Sequence, residues 1–451
     1  MTGVDGAWLV WGLDDPRLGL APVWTPGSGD VWVGEKAGNA ACTHDVLRLL
    51  HGDLSEWQEG LLAGPVPESL WRHVEPCLDR VYVMFDRTVW GRQASFTERR
   101  NHAAMLVRAF HHLVASRRWR FAFFAAPPHF GCDELLKEVL VWAGVPVFYG
   151  FQSLFPGRLW VLRHDYRLLS PAVRLPGVDL PEVETEQLFY MLKVSAKTYG
   201  WHRPLLAWLQ YWLGLGRFRR EPLYELKRVL RQHRYQRDLA HAFPSERRLD
   251  ADALRAWQQP FVYCALHLQP EMTTSALAGP GYDNHIRVIQ DILRTLPAGW
   301  RLLLKENPKQ DWRQRSPAFF ACISSDPRVY LLDRRIPGKQ VVARCDVLAT
   351  VSGTAGWEAL RMGKPVLLFG RAWYAGFQGV QAWADGLALD GLKAATPGSV
   401  KCDFQARIAL CFAGIVDPGY LAIAPEIGSK NGVLLRELLD ALPGHEAEDS
   451  F

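Results

Sequence analysis

The segment from Asp346 to Gly370 constrains the fold more tightly than any other part of the chain. Asp346-Val347-Leu348-Ala349-Thr350-Val351 has the unbroken apolar character of a buried strand. Ser352, Gly353 and Thr354 follow as a small-hydroxyl turn, and Ala355 to Leu360 continues as a short helix. Gly363-Lys364-Pro365 then leads into a second buried strand, Val366 to Phe369. Two buried strands with a helix between them form a βαβ unit, which calls for a parallel sheet covered on both faces. A helix start leaves backbone N–H groups unpaired at the positive end of the helix dipole. Two hydroxyls and a glycine placed there suit a phosphate. The same residues serve equally well as an ordinary helix cap.

The strand–helix rhythm runs through most of the chain. In the first 180 residues, Arg80–Phe85, Phe121–Phe124 and Val145–Tyr149 read as strands, with helices over 98–116 and Glu134–Ala143. From residue 260 onward, Pro260–Leu266, Trp300–Lys305 and Val329–Leu332 read as strands and His285–Thr295 as a helix. A chain of 451 residues is too long for one core. The expected fold is therefore α/β with two Rossmann-like domains, over 1–180 and 251–451, and a helical basic and aromatic connector over 181–250. Ligands of such sheets bind at the C-terminal ends of the strands.

Composition narrows the class. With 49% apolar and 22% charged residues, the chain is not disordered. A net charge of +5 is too small to argue for nucleic acid. The eight cysteines are scattered without a metal-ligand spacing, as expected for free thiols in a reducing compartment. With no signal-like or membrane-length apolar run, the expected location is cytoplasmic.

Three polar motifs each follow an expected strand in the second half. They are His267-Leu268-Gln269-Pro270-Glu271-Met272-Thr273-Thr274, Lys305-Glu306-Asn307-Pro308 and Ser352-Gly353-Thr354. Parallel strands end on one edge of a sheet, so the three motifs can meet at one ligand. Lys305 supplies a point charge for phosphate or carboxylate, although a surface ion pair with Glu306 is the plainer reading. Glu358 lies one helical turn beyond Thr354, where its carboxylate can accept from sugar hydroxyls. Asp250-Ala251-Asp252 has an Asp-x-Asp pattern but opens a helix, and reads as capping.

The order of these motifs, with Ser-Gly-Thr-Ala-Gly-Trp-Glu-Ala at 352–359, Gly-Lys-Pro-Val at 363–366 and Phe369 to Tyr374, resembles the bacterial capsule-type polysaccharide synthesis family. Retaining β-Kdo transferases that use CMP-Kdo are the nearest likeness, over roughly residues 260–380. The resemblance implies a GT-B fold, two Rossmann-like domains facing a cleft, with the nucleotide on the C-terminal domain. It maps Gln269, Pro270 and Glu271 to the family's Gln-Pro motif, Lys305 to Pro308 to its His-Pro motif, and Ser352 and Thr354 to the phosphate hydroxyls. Lys305 departs from the family's histidine. The implied activity is transfer of Kdo from CMP-β-Kdo to a lipid-linked or oligosaccharide acceptor in capsule or lipopolysaccharide synthesis. Alternatives are another CMP-activated nonulosonic acid, another sugar nucleotide, or a non-catalytic capsule assembly or export-coupling protein. One phosphate can be stabilised by a helix start, hydroxyls and a lysine, so no metal or other cofactor is expected.

In the first half, Pro127-Pro128-His129-Phe130-Gly131-Cys132-Asp133-Glu134 resembles the Pro-His…Asp turn of these glycan proteins. Asp133 is the expected nucleophile or base and His129 its proton partner or orienter. A capping Asp133 and a satisfied loop His129 is the structural alternative, and Asp86 and Glu134 are further carboxylate candidates. Between 190 and 240, aromatic residues alternate with Lys and Arg (Tyr190, Trp201, Trp208, Trp212, Arg217, Arg219, Arg220, Arg231, Arg234), read as two helices joined near Gly214 and Gly216. That stretch fits a plain inter-domain pair of helices, a peripheral contact with anionic membrane, or a nucleic-acid surface.

Overall fold

A computed structural model describes residues 6–88, 90–169, 222–312, 314–424 and 426–444. The chain forms two compact units, one of Met1–Leu192, Pro270–Ala276 and Phe404–Phe451, the other of Lys193–Gln269 and Leu277–Asp403.

The first unit holds β1 (Ala7–Trp11), β2 (Val31–Gly34), β3 (His44–Asp45), β4 (Trp119–Phe124), β5 (Val147–Gln152) and β6 (Arg158–Arg163). The second holds β7 (Arg248–Leu249), β8 (Phe261–Ala265), β9 (Arg301–Lys305), β10 (Val329–Leu332), β11 (Val347–Thr350), β12 (Val366–Leu368) and β13 (Val380–Ala382). A last strand, β14 (Phe412–Ala413), returns to the first unit. Their sheets run β14-β6-β5-β4-β1-β2-β3 and β13-β12-β11-β8-β9-β10-β7. The second is parallel throughout, and the first turns antiparallel at β5–β6 and β6–β14. Two Rossmann-like α/β units in one chain are the domain complement of a GT-B fold.

Strands β8 and β9 are buried almost throughout, and a helix covers one of their faces. Val262, Cys264, Leu302 and Leu304 share one core cluster with Val288, Ile289 and Ile292 of the helix His285–Thr295. The expected strand over Arg80–Phe85 is instead helical, Leu78–Met84 followed by a tight turn over Phe85–Arg87. Its apolar burial explains the difference: Val81, Met84 and Phe85 point inward at helical spacing, while Tyr82 and Val83 are only partly covered. The sheet position is taken by β1, which lies between β4 and β2. The C-terminal stretch also differs from the expected 251–451 domain. The helix Asn431–Ala441 buries Leu435, Leu438 and Leu439 in a core shared with Trp8, Val10 and Phe121 of the first unit.

Most of the expected basic and aromatic connector, including Tyr190 to Arg220 and the Gly214–Gly216 turn, lies outside the described residues. Its end is the helix Pro222–His241, which buries Val229, Gln232, Tyr235 and Leu239 and exposes Lys227, Arg231, Arg234 and Arg237. Asp250 caps the helix Ala251–Ala256 by accepting from the Ala253 N–H at 2.8 Å, as expected of this Asp-x-Asp. The eight cysteines are unpaired. Among the described residues, no helix is long and apolar enough to cross a membrane.

Candidate functional site

Strands β11, β8 and β9 are neighbours, so the three expected motifs of the second half leave one edge of one sheet. Ala349 pairs with Cys264, which puts Thr350 level with Ala265, and Ala265 pairs with Lys305. Residues level in adjacent strands project to the same face. Thr350 and Lys305 therefore stand on either side of an alanine, the smallest side chain that keeps strand geometry. Lys305 is only 7% exposed and has no hydrogen bond or ion pair among the described residues. Burial, and then the nearby Arg334, lower its pKa against the opposing pull of Glu306 and Asp333. A cation buried without a counter-charge is unfavourable, and an anion at the strand ends would relieve it.

The turn after β11 is built on His267. The helix Thr354–Arg361 starts at Gly353, whose own N–H donates to the Thr350 hydroxyl at 3.0 Å. That hydroxyl lies 2.7 Å from His267 Nε2, which also takes the Val351 N–H at 3.2 Å. A Cβ on Gly353 would lie 3.0 Å from His267 Cε1, so the chain crosses the imidazole only as glycine. Tyr374 donates its hydroxyl to the Gly353 carbonyl. Ser352 and Thr354 are both partly exposed on this turn.

Gly356 is equally specific, because a Cβ there would lie 2.2 Å from the Tyr374 hydroxyl. We expect Gly356→Ala to destabilise the protein by about 1–3 kcal/mol, the usual range for overpacking. Differential scanning calorimetry of Gly356→Ala and of Gly356→Ala/Tyr374→Phe checks this. The second change should recover part of the loss, and an unchanged melting temperature in Gly356→Ala would exclude the clash.

Several expected ligand residues are instead the frame of the site. Glu306 is paired with Arg315 through two hydrogen bonds, Nε to Oε2 at 2.8 Å and Nη2 to Oε1 at 3.0 Å, with both side chains sealed from solvent. The Tyr235 hydroxyl and the Asn307 N–H donate to the same carboxylate at 2.9 and 2.8 Å. Arg315 also donates to Gln269 Oε1 at 2.6 Å and to the His267 carbonyl at 3.2 Å. The backbone of Gln269 is held by the Gln310 amide at 2.8 and 2.9 Å, and its side-chain NH2 donates to the Asp283 carbonyl. Glu271 caps the short helix Met272–Ser275 through the Thr273 N–H, Asn307 accepts from the Lys309 N–H, and Pro308 accepts from Arg334. Pro270 and Glu271 group with the first unit, whereas Gln269 groups with the second. Glu358 differs: it is 6% exposed, has no partner among the described residues, and burial raises its pKa over the opposing influence of Lys339 and Arg361.

Arg315, His267 and His285 carried no expected role. Arg315 follows Glu306 across an irregular loop, where no periodicity signals a pairing. His285 is 3% exposed, stands edge-on to His267 at 5.8 Å, and neither ring nitrogen has a partner among the described residues.

In the first unit, the turn after β4 brings His129 and Asp133 together. Asp133 is buried at the start of the helix Cys132–Trp142 and accepts three backbone N–H groups, from His129 at 2.7 Å and from Phe130 and Glu134 at 2.8 Å each. The arrangement is that of a carboxylate organising its own loop. Burial still dominates and raises its pKa to about 6. His129 Nδ1 lies 2.7 Å from the Pro127 carbonyl, a pure acceptor, so Nδ1 carries the proton and Nε2 keeps its lone pair. Burial and Arg87 lower the His129 pKa to about 3. Glu134 is ion-paired with Arg80 and with Lys137, the latter at 2.9 Å. Asp86, expected at a strand end, lies in the turn after the helix Leu78–Met84 and is ion-paired with Arg99 at 2.6 Å.

Residues 220–396, which contain all three motifs of the parallel sheet, match the family model described as capsule polysaccharide biosynthesis protein. That segment is similar to the capsule polysaccharide biosynthesis family. No curated protein matches the chain. Among solved structures, the chain is similar to the beta Kdo 2,7 transferase of Thermosulfurimonas dismutans KpsC, at 13% identity over 41% of this chain and 55% of that one, with a TM-score of 0.26. This chain thus spans little more than half of that structure's length. The beta Kdo 2,4 transferase of the same KpsC matches at 12% identity over 65% and 79% of the two chains, with a TM-score of 0.27. UDP-GlcNAc 2-epimerase from Neisseria meningitidis, bound to UDP-GlcNAc, matches at 13% identity over 96% and 99%, with a TM-score of 0.22.

Proposed function

We propose that the protein is a glycosyltransferase of bacterial surface polysaccharide synthesis that takes Kdo from CMP-β-Kdo and transfers it, with retention, to a lipid-linked or oligosaccharide acceptor. The observation that carries this reading is Lys305, a largely buried ammonium with no ion pair among the described residues, level with Thr350 at the strand ends that lead into the hydroxyl turn Ser352–Thr354. One phosphate, as in CMP, supplies the missing charge. The buried carboxylate of Glu358 is then a hydrogen-bond acceptor for the hydroxyls of the bound sugar nucleotide. Neither role calls for a metal.

Retention takes two displacements and therefore a nucleophile. Asp133 is the candidate, and its Oδ2, which accepts only the His129 N–H, is the oxygen with a lone pair to spare for attack. His129, with Nε2 free as an acceptor, is the partner for the acceptor hydroxyl. The cationic outer face of the helix Pro222–His241, with Arg231, Arg234 and Arg237 around the half-exposed Leu230, supports a peripheral contact with anionic lipid.

The test is CMP-β-Kdo with a synthetic glycan acceptor, followed by CMP release and the anomeric configuration of the product. Transfer should survive a chelator and be lost in Asp133→Asn with CMP binding retained. The raised Asp133 pKa means the ionised form builds up as pH rises through about 6, so the rate should climb across that window. Stability runs the other way. A carboxyl whose folded pKa is raised above its unfolded value near 4 contributes stability below that pH and loses it as pH passes through about 6. Asp133→Asn should flatten that slope. A thermal shift with UDP and none with CMP would move the donor to another sugar nucleotide. Binding without turnover would favour the assembly or export reading.

A further inference from the structure

We propose that His267 is itself a ligand-binding residue of this site, donating through Nδ1–H to a phosphate oxygen of the bound nucleotide. This rests on the nucleotide reading above. The tautomer follows from two hydrogen bonds made by the opposite nitrogen. The Val351 N–H donates to Nε2 at 3.2 Å. The Thr350 hydroxyl, 2.7 Å from Nε2, already accepts from the Gly353 N–H, and among the described residues it has no other acceptor for its own proton than Nε2. Nε2 therefore holds its lone pair and Nδ1 carries the hydrogen.

That N–H is unspent. His267 is 8% exposed, Nδ1 has no partner among the described residues, and it is not sealed from solvent. His285, packed edge-on against the ring, makes no hydrogen bond to it. The location is specific as well. Cε1 and Nε2 come within 3.0 and 3.1 Å of where a Gly353 Cβ would be, so the ring packs against the Ser352–Thr354 turn by that edge, with Nδ1 bonded to Cε1 at the next ring position. Burial and Arg315 hold the imidazole uncharged above about pH 4, so it acts as a fixed neutral donor and not as a titrating cation. Lys305 then supplies charge, and His267 supplies direction.

The two functions of the ring can be separated by substitution. An asparagine amide reaches the place of Nδ1, and a glutamine amide reaches the place of Nε2. With the full chain and CMP as the probe in titration calorimetry, His267→Asn should keep affinity within about threefold of wild type but melt lower. His267→Gln should melt near wild type but bind CMP about tenfold or more weakly, the loss of one hydrogen bond to a charged oxygen. Affinity that falls in proportion to melting temperature in both variants would reduce His267 to a structural residue. Nitrogen-15 NMR of the wild-type protein supplies a second readout that needs no variant. Nδ1 should be protonated in the free protein and its resonance should move on adding CMP. CMP binding with an unmoved Nδ1 overturns this proposal and leaves the nucleotide reading intact. Absence of CMP binding by wild type overturns both.

Discussion

Replacing Lys305 with methionine is expected to stabilise the ligand-free protein and weaken its binding of CMP, two effects of opposite sign. The stem of Lys305 is buried at the end of β9, and methionine preserves most of that volume. The charge is what changes. In the free protein the largely buried ammonium has no ion pair among the described residues, and burial lowers its pKa despite the opposing pull of Glu306 and Asp333. Removing such a charge relieves desolvation, so the melting temperature should rise. In the complex, the same ammonium would meet a phosphate. A charge-assisted hydrogen bond contributes about 1.5–3 kcal/mol, and at 1.4 kcal/mol per tenfold that is roughly 10- to 150-fold in affinity. Thermal denaturation with and without CMP reads both effects in one experiment. A structural lysine would give lower stability and unchanged affinity, and that pattern would sink the phosphate assignment.

The opposite result is expected for Glu306, its neighbour, and the contrast shows what the sequence makes legible. Both residues end an apolar strand, and the pattern of β9 alone supports a polar site at that edge. Strand order and parallel direction were readable because β8, β9 and β11 are continuous apolar runs bounded by turn residues, which leave few alternatives. Partners were not readable. Glu306 is claimed by Arg315 nine residues later, through a loop with no repeat, and Gln269 is claimed by the same guanidinium from another strand. Likewise the Asp133 carboxylate folds back onto His129 and Phe130, a contact set by the turn geometry of five residues. The mistaken strand at Arg80–Phe85 has a different cause. A short apolar run satisfies both periods, and what decides it is that β1 occupies the sheet position.

Breaking the Glu306–Arg315 pair should produce the largest loss of stability. Glu306→Ala leaves a guanidinium, sealed from solvent, with no counter-charge, and Arg315→Ala leaves a carboxylate in the same state. Removing one partner of a buried pair typically destabilises by about 3–5 kcal/mol. For a unit of this size that corresponds to a drop of roughly 6–20 °C, at about 2–4 °C per kcal/mol. Urea denaturation of the two single variants and of Glu306→Gln/Arg315→Met checks it. The double variant should recover much of the loss, because neither charge remains to be compensated. Function should follow a different order. Arg315 ties Glu306 after β9 to Gln269 and the His267 carbonyl after β8, so it fixes two motifs relative to each other with one planar group. The double variant should therefore regain stability and still bind CMP poorly. Arg315→Lys should do the same, since an ammonium keeps the charge but cannot span both oxygens of Glu306 and reach Gln269 at once. Equal recovery of stability and of CMP affinity in the double variant would show that Arg315 only stabilises the fold and does not set the geometry of the site.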